Sequence, residues 1–584
     1  MPQICIKKKR NMGNYYSHNE ITELHLESLN YFEEAWKRGR RNERFKQGIH
    51  WTPEELDAIK GANRHPYSIS LMNHKINNII STQRQSRNSI KVTSGEENSF
   101  SAEIATAILK DKERSEDLMQ LESDVFDSGL SVCFGAVEVV PVSPGGEIRV
   151  SAKKRDYLDV FWDSSAKSYN LDDALFIATG ETFSRESVER KYGSVSSSGD
   201  SLFTHSFYRS DSGNLFRGGK DTVRLINHYC KSPVREFVLL FNDWRDHHRL
   251  PGGVYAGKFT SREKANSRLR ELHIPYLEND QEVPLHEIMP VEGVQITKYV
   301  MTGGEILDII DLPLNRIPVS IYRPFHFENK FWTLADLLVE PQIFLDRVFM
   351  QIDYSFGRDV KNVYQGNVHA LAESETPETA LRKAERTGGI IWTRTGEEVF
   401  RPLKVSGVNP QYFQIAAVMQ GFIEDLAGGR SFHGLADYSN ESGKAIIAKQ
   451  KQGLLAAGLV LDNLRRWKCD LGEKLLEGTL EYEGDSAVEA VLRQMRREEI
   501  QGENLPSAEE LKIMDYEITV TEAPLSSDEK AEKLDQLISL NNVFPGSVPI
   551  DVVLNYMNLE TGDKEKIINN YTSKQSIEEK RNEQ

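Results

Sequence analysis

Cysteine is scarce in this sequence. The 584 residues include four cysteines, Cys5, Cys133, Cys230 and Cys469, which lie far apart along the chain. No two of them have the short spacing of a zinc site, and the set does not form the pattern of a disulfide framework. We therefore predict reduced and mostly buried thiols, and a chain that needs no metal or other cofactor.

Long apolar segments are also absent. The longest apolar runs, such as residues 453–461, are too short and too rich in glycine to cross a bilayer, so no membrane partner is expected. Hydrophobic residues make up 39% of the chain and charged residues 27%, which is typical of a folded globular protein. Because 584 residues exceed what one hydrophobic core usually supports, we expect several structural units.

A positive net charge is missing as well. The formal net charge of −16 argues against a protein that coats nucleic acid by bulk attraction. An acidic exterior is nevertheless compatible with local basic clusters. Composition alone therefore leaves DNA contact open.

Signatures of ATP hydrolysis and of metal catalysis are lacking. The Gly-Lys pairs at 219–220 and 443–444 are followed by Asp221 and Ala445, so neither has the Ser or Thr of a phosphate-binding loop. The densest cluster of metal-capable residues, 243–248, contains adjacent histidines, which point to different faces of a strand. A solvated loop is favoured there over a metal site, and no catalytic residue is predicted.

The N-terminal part of the sequence has helical patterns. Asn19 is a candidate cap for a helix that ends in a basic run at residues 37–46. Thr52 followed by Pro53 and two acids is typical of a compact helix start. Residues 101–128 have the apolar period of one amphipathic helix.

Strand-like patterns follow from Leu130. Apolar residues alternate on both sides of Pro144-Gly145-Gly146, which predicts a β-hairpin with its turn at these residues. Short strands and loops are expected to continue to about Tyr322. The sequence therefore predicts a mixed α+β region.

Two helices bracket a small insert in the next part of the chain. An apolar period of four residues ends at Gly357, with Pro341 at a helix start or kink, and a second helix starts at Asn409-Pro410 and ends at Gly428-Gly429. Between them we predict a short helix that begins at Thr376-Pro377 and a hairpin of residues 390–393 with residues 399–403. A loop rich in glycine and small polar residues follows at 430–442, and then a long helix.

Five segments in this order resemble the portal protein family of tailed bacteriophages, most closely the portals of short-tailed phages. The segments are Tyr157 to Asp163 with Leu171 to Ala174, Trp332 to Ser355, Asn409 to Gly429, Glu441 to Leu464, and Leu525 to Lys530. The resemblance spans most of residues 48–560, whereas residues 231–300 match no segment that we can place.

The resemblance implies an α+β, predominantly helical portal fold that assembles into a ring. The regions it implies are a wing at residues 1–330, a first stem helix at 331–357, a clip at 358–405, a second stem helix at 406–428, a tunnel loop at 429–442, a long wing helix at 443–485, and a crown with the C-terminal tail at 486–584.

The resemblance also implies which residues line the DNA channel. In the tunnel loop these are Arg430, His433, Gly434 and Asp437. In and beside the clip the candidate basic residues are Arg358, Lys361, Arg382, Lys383, Arg386, Arg394, Arg401 and Lys404. For any single charged residue, pairing with an acid of a neighbouring subunit is favoured over a contact with DNA.

The second stem helix carries an apolar stripe that needs a partner. Ile415, Met419, Phe422 and Leu426 are expected to pack between neighbouring subunits, because a pair of helices leaves part of this face uncovered.

The function that follows from the resemblance is a non-enzymatic portal. Twelve copies would form a channel for packaging and ejection of double-stranded DNA at one capsid vertex of the virion, assembled in the cytoplasm of the bacterial host. The expected partners are the terminase large subunit, a head–tail adaptor, and the major capsid and scaffolding proteins. The alternatives are a nucleic-acid-processing enzyme, and a head–tail adaptor or other vertex protein. The latter does not explain the order of helix, insert, helix, loop and helix.

Overall fold

The computed structural model describes residues 15–85, 88–94, 99–195, 222–241, 255–259, 262, 264, 266–267, 286–359, 364–384, 386, 389–394, 396, 398–402, 409–427, 458–494, 508–513, 516–522, 534, 537–540 and 553. Its helices are His18–Lys46 (α1), Pro53–Gly61 (α2), Leu71–Gln85 (α3), Ser99–Ser115 (α4), Leu118–Ser131 (α5), Arg185–Tyr192 (α6), Leu334–Asp359 (α7), Pro377–Ala384 (α8), Gln411–Leu426 (α9), Gly458–Tyr482 (α10), Asp485–Gln494 (α11) and Ala508–Ile513 (α12).

The strands belong to five separate sheets in the described part of the chain. They are Asn88–Thr93 (β1), Gly135–Val142 (β2), Arg149–Arg155 (β3), Val160–Trp162 (β4), Phe176–Ser184 (β5), Thr222–Phe241 (β6), Tyr255–Phe259 (β7), His286–Met301 (β8), Ile306–Leu312 (β9), Val319–Tyr322 (β10), Phe325–Phe327 (β11), Lys330–Trp332 (β12), Tyr364–Gly366 (β13), Phe400–Pro402 (β14) and Glu517–Glu522 (β15).

Local capping chemistry sets the starts of the first two helices. Ser17, and not the predicted Asn19, caps α1: the Glu20 carboxylate accepts a hydrogen bond from the Ser17 amide at 2.7 Å. Asn19 therefore lies inside the helix. The prediction for α2 is confirmed, because Thr52 caps it in a capping box with Pro53 in the first turn.

The predicted helix at 101–128 is two helices in the structure. Asp117 has a left-handed backbone with φ of 47° between α4 and α5. A left-handed residue cannot continue a right-handed helix, so the apolar period runs across a sharp turn. The sequence contains no proline or glycine at this point to indicate the break.

The largest sheet has the strand order β4-β5-β6-β8-β9, with β7 paired to β6, and the others are smaller. All its pairings are antiparallel, and β6 and β8 pair along sixteen residue positions from Ile226 to Phe241. The second half of β6 and nearly all of β8 lie in the region 231–300, which the sequence analysis could not place. The hairpin predicted around Pro144-Gly145-Gly146 is confirmed as β2 and β3, and β10 extends it to three strands.

Two hydrophobic cores hold the described chain together. The larger one joins α3, α4, α5, α7 and α10, and the second joins α1 to the strands β4 and β5. Aromatic rings dominate the second core, where the ring centroids of Phe32 and Trp162 lie 4.5 Å apart and those of Phe134 and Trp162 lie 5.1 Å apart. The indole of Trp36 donates to the Tyr157 carbonyl at 3.0 Å, so α1 is fixed to this layer by packing and by a buried hydrogen bond.

The hairpin predicted within the insert is wrong. Strand β14, at Phe400–Pro402, pairs with β13, at Tyr364–Gly366, and Thr393 forms an antiparallel bridge with Leu371. The two predicted strands therefore both pair with residues that precede α8. The prediction paired the two stretches with each other because a turn joins them directly. In the structure each stretch pairs instead with residues on the other side of α8, and these pairings close the insert.

Candidate stem, clip and channel residues

The predicted stem helices α7 and α9 lie antiparallel. The rings of Phe356, near the end of α7, and Phe413, at the start of α9, have centroids 6.4 Å apart. At the other end, Glu424 of α9 pairs with Lys75 of α3 at 3.3 Å, and α3 also contacts the first half of α7. Pro341 was predicted at a helix start or kink, and it lies inside α7, which begins at Leu334.

Buried polar side chains fix the first half of α7 to the loop before α3. Gln342 accepts a hydrogen bond from the Met72 amide at 3.1 Å and donates to the Ile69 carbonyl. Asp346 accepts from the Ile69 amide at 3.1 Å and contacts the imidazole of His50. All of these partners are far away in the sequence, so no local pattern could have indicated them.

The basic run of α1 contacts β12, the start of α7 and α5. Arg38 donates to the Phe331 carbonyl at 3.2 Å, Arg41 pairs with Glu340 at 3.1 Å, and Lys46 pairs with Asp127 at 2.6 Å. These contacts lie within one chain. The run thus positions the first turns of α7 against α1.

The apolar residues of α9 divide into two faces. Ala416 and Ile423 are buried in the larger core, and Met419 is half-buried against it. Ile415, Val418, Phe422 and Leu426 are exposed on the single chain, at spacings of three and four residues that place them on one side of the helix. Of the predicted stem residues, Ile415, Phe422 and Leu426 therefore share an uncovered apolar face.

The insert between the stem helices has a small core of its own. Ala370, Leu371, Ala380 and Val399 are buried together. Hydrogen bonds close the unit, for example from the Asn367 amide to the Val399 carbonyl at 2.9 Å. Among the described residues this core is separate from the two larger ones, so the described part of the insert forms a packing unit of its own.

The basic residues predicted in the clip are in different settings. Lys383 pairs with Glu375, whose pKa this hydrogen bond lowers, and Arg394 pairs with Glu373. Both acids belong to the same chain, whereas the sequence argument expected acids of a neighbouring subunit. Arg382, Arg386 and Arg401 are exposed, Arg358 lies in the last turn of α7, and Lys361 and Lys404 lie outside the described residues.

Sequence reasoning missed an exposed apolar group on the insert. Val368, Ile390 and Trp392 are each exposed over more than half of their surface. Ile390 and Trp392 lie in the stretch 390–393, which had been predicted as a hairpin strand.

The predicted tunnel-loop residues Arg430, His433, Gly434 and Asp437 lie outside the described residues, as does the cluster at 243–248. Within the described ranges, no group of three or more His, Cys, Asp or Glu side chains could hold a metal ion. None of the described helices combines the length and the apolar character needed to span a bilayer.

Comparison with known proteins places these features in one family. A search of curated proteins finds no match. A family model described as the phage P22-like portal protein matches residues 23–584, which include the stem helices, the insert and both larger cores. The match covers almost the entire sequence, and the chain belongs to the phage P22-like portal protein family.

Proposed function

We propose that twelve copies of this phage portal protein form a DNA channel at one capsid vertex, with α7 and α9 as the stem of the ring. The family implies a ring assembly in the phage capsid. The main support for assigning α7 and α9 to the stem is the uncovered apolar face of α9, at Ile415, Val418, Phe422 and Leu426. A neighbouring subunit is the partner that a closed ring supplies to such a face.

The first stem helix offers a surface for this face to contact. Leu337 and Phe344 are exposed on α7 and lie seven residues apart, which places them on one side of the helix. A head-to-tail ring brings α9 of one subunit against α7 of the next, because such an interface joins two different patches. Burial of each half-exposed apolar side chain would contribute about 1 kcal/mol.

The insert is the proposed clip, which would dock the terminase large subunit and later a head–tail adaptor. It has its own core and lies between the far ends of the stem helices. Its exposed basic residues Arg382, Arg386 and Arg401, together with Trp392, would supply charged and apolar contacts to these partners.

The tunnel loop, residues 429–442, would line the narrow part of the channel. Arg430 and His433 would approach phosphates, and Asp437 would limit the strength of that contact. A conduit needs weak contacts, since each strong phosphate contact adds salt-dependent grip. In this function the chain is structural, with no catalytic role, and it acts in the virion after assembly in the host cytoplasm with major capsid and scaffolding proteins.

Two neighbouring residues of α9 provide a matched test of the ring interface. Phe422 is 55% exposed in the single chain and Ile423 is fully buried. Phe422→Asp should abolish or weaken rings while the thermal midpoint of the monomer stays within a few degrees of the parent. Ile423→Asp should instead destabilise the monomer by roughly 4 kcal/mol, because it buries an unpaired carboxylate.

The measurements are negative-stain imaging and light scattering for the ring, and thermal unfolding for the monomer. Intact rings of Phe422→Asp, together with a monomer as unstable as that of Ile423→Asp, would place this face inside the subunit and refute the interface.

A further inference from the structure

The guanidinium of Arg323, directly after β10, is buried and only partly paired. The side chain has no exposed surface, and its Nη2 donates to the carbonyls of Ser168 and Tyr169. Within the described ranges, Nε and Nη1 have no hydrogen-bond partner. Of the five N–H groups of a guanidinium, the three on Nε and Nη1 are therefore without an acceptor.

A buried cation in this condition requires a counter-charge. Buried charges in proteins are normally paired, because removing an ion from water costs several kcal/mol that an opposite charge must offset. The rings of Trp162 and Tyr169 lie 5.6 Å and 5.4 Å from the guanidinium carbon and stabilise its positive charge. Ring faces do not accept the in-plane N–H groups, however, so the need for an acceptor beside Arg323 remains.

The carboxylate of Asp173 acts on Arg323 only from a distance. Its oxygens accept hydrogen bonds from the amides of Lys167 at 2.6 Å and Ser168 at 3.1 Å. Among the described residues, no carboxylate forms an ion pair with the guanidinium. Asp173 therefore holds the loop in shape and does not fill the site beside Nε and Nη1.

A second buried nitrogen without a partner lies in the same place. Nε2 of His326, in β11, is buried and has no hydrogen-bond partner in the part of the chain that the structure describes. The imidazole of His326 lies edge-on to the ring of Tyr169 with the centroids 6.0 Å apart, and the same ring lies under Arg323. Burial, and then the charge of Arg323, lowers the pKa of His326. Two unpartnered groups thus converge beside one aromatic ring.

The burial of Arg323 limits what the site can hold. Because the side chain has no exposed surface in the single chain, a carboxylate of another protein cannot reach it while the loop at Ser168 and Tyr169 is in place. A halide ion needs little room and accepts hydrogen bonds from any direction. It therefore suits donors that point to different sides of the guanidinium better than a planar carboxylate or a phosphate does.

We propose that a small inorganic anion of the size of chloride binds beside Nε or Nη1 of Arg323. With its proton on Nε2, His326 donates to the same anion. The anion neutralises the buried cation and thereby holds β10 and the loop at Ser168 and Tyr169 together. Since the site exists only in the folded chain, stability should rise with the concentration of the anion. The proposal does not depend on the ring.

Thermal unfolding of the full chain tests the site. At constant ionic strength, exchange of sodium gluconate, whose anion is too large for the site, for sodium chloride should raise the thermal midpoint of the parent by at least about 2 °C. Arg323→Met should lose this response, and Arg347→Met, at an exposed position of α7, should retain it. Equal responses of the parent and Arg323→Met would overturn the proposal, because they would show a general salt effect.

Bromide locates the anion in the unaltered chain, so this second test does not depend on the stability of a variant. Crystals soaked in sodium bromide should show an anomalous-scattering peak within about 3.5 Å of Nε or Nη1 of Arg323. Peaks at exposed lysine and arginine side chains serve as the reference for entry of bromide into the crystal. If these reference peaks are present and none lies beside Arg323, water alone satisfies the donors and the proposed site does not exist.

Discussion

A buried guanidinium holds the loop at Ser168 and Tyr169 in place. Arg323 has no exposed surface, and its Nη2 donates to the carbonyls of Ser168 and Tyr169. It also lies over the rings of Trp162 and Tyr169, at 5.6 Å and 5.4 Å from their centroids. Burial lowers the pKa of Arg323 to about 10, and no carboxylate in the described part of the chain forms an ion pair with it.

Two substitutions of Arg323 distinguish the contribution of its hydrogen bonds to stability from the contribution of its packing. Arg323→Met keeps most of the volume, removes the donor to the partly buried Tyr169 carbonyl and leaves the Ser168 carbonyl with the Leu171 amide as its donor, so the free energy of unfolding should fall by about 2 kcal/mol. Arg323→Ala adds a cavity and should cost about 2 kcal/mol more. Denaturant unfolding of the two variants measures the difference. A Met variant as stable as the parent would mean that the hydrogen bonds to the loop contribute nothing.

A second residue-scale feature is a buried pair of histidines between α1 and the largest sheet. Nε2 of His25 lies 2.7 Å from Nδ1 of His228, and Nε2 of His228 lies 2.8 Å from the sulfur of Cys230. Burial lowers the pKa of His25 to about 3 and holds the pKa of His228 well below its ordinary value. Both imidazoles are therefore neutral in the folded chain at physiological pH.

This pair should make the fold sensitive to acid. Below about pH 6.5 the unfolded chain binds protons at these histidines, whereas folded His25 does not until about pH 3, so stability is present above 6.5 and is lost as the pH falls between these values. The loss should approach about 1.4 kcal/mol per pH unit for each histidine. Denaturant midpoints measured from pH 7.5 to 4.5 should fall more steeply for the parent than for His25→Gln. Parallel profiles for the two proteins would contradict this expectation.

At the scale of elements, the orientation of α7 depends on a few buried polar contacts. Gln342→Leu would leave the Met72 amide without its partner and would remove one of the two donors to the Ile69 carbonyl, which also accepts from the Leu71 amide at 2.8 Å, so it should lower the free energy of unfolding by about 2 kcal/mol. Arg347→Leu is the control, because Arg347 is exposed on the same helix and its replacement should change stability by less than about 0.5 kcal/mol. Denaturant unfolding compares them, and equal effects would mean that helix propensity, not the buried contacts, is being measured.

Elements whose boundaries depend on local chemistry could be predicted from the sequence. The start of α2 at Thr52, the hairpin turn at Pro144-Gly145-Gly146 and the start of α9 after Asn409-Pro410 agree with the structure. The strand pairing in the insert could not be predicted, because β13 and β14 have three residues each and the paired residues are 34 to 38 positions apart. Strands this short carry no periodic signal, so the closure of the chain decides their register.

At the scale of the whole molecule, the sequence could indicate the order of the regions but not the direction in which each helix face points. The apolar residues of α9 read as one stripe, yet the structure buries Ile423 and exposes Phe422, its neighbour. The contacts that decide this, such as the ion pair of Lys75 with Glu424, join residues 349 positions apart. An amphipathic pattern shows that the apolar face of a helix must be buried. Only the fold shows which residues of that face are buried by the same chain.

The last prediction concerns the insert as a separable unit of the proposed ring. Its core of Ala370, Leu371, Ala380 and Val399 is its own, and Phe356 and Phe413 meet where α7 and α9 approach each other. Replacement of residues 359–405 by a short Gly-Ser linker should therefore leave α7 and α9 paired. Rings should still form in negative-stain images and in size-exclusion chromatography, while binding of the terminase large subunit and packaging of DNA should be lost.

A point variant distinguishes loss of the insert from damage to the stem. Ala380 is fully buried in the core of the insert, so Ala380→Asp should unfold the insert alone and reproduce the deletion: rings present, terminase binding absent. Leu381→Asp, at an exposed neighbouring position of α8, should retain both properties, since an exposed carboxylate stays solvated. If the deletion or Ala380→Asp removes all soluble protein, the insert is part of the structural core of the subunit. That outcome would refute the proposal that the insert docks partners independently of α7 and α9.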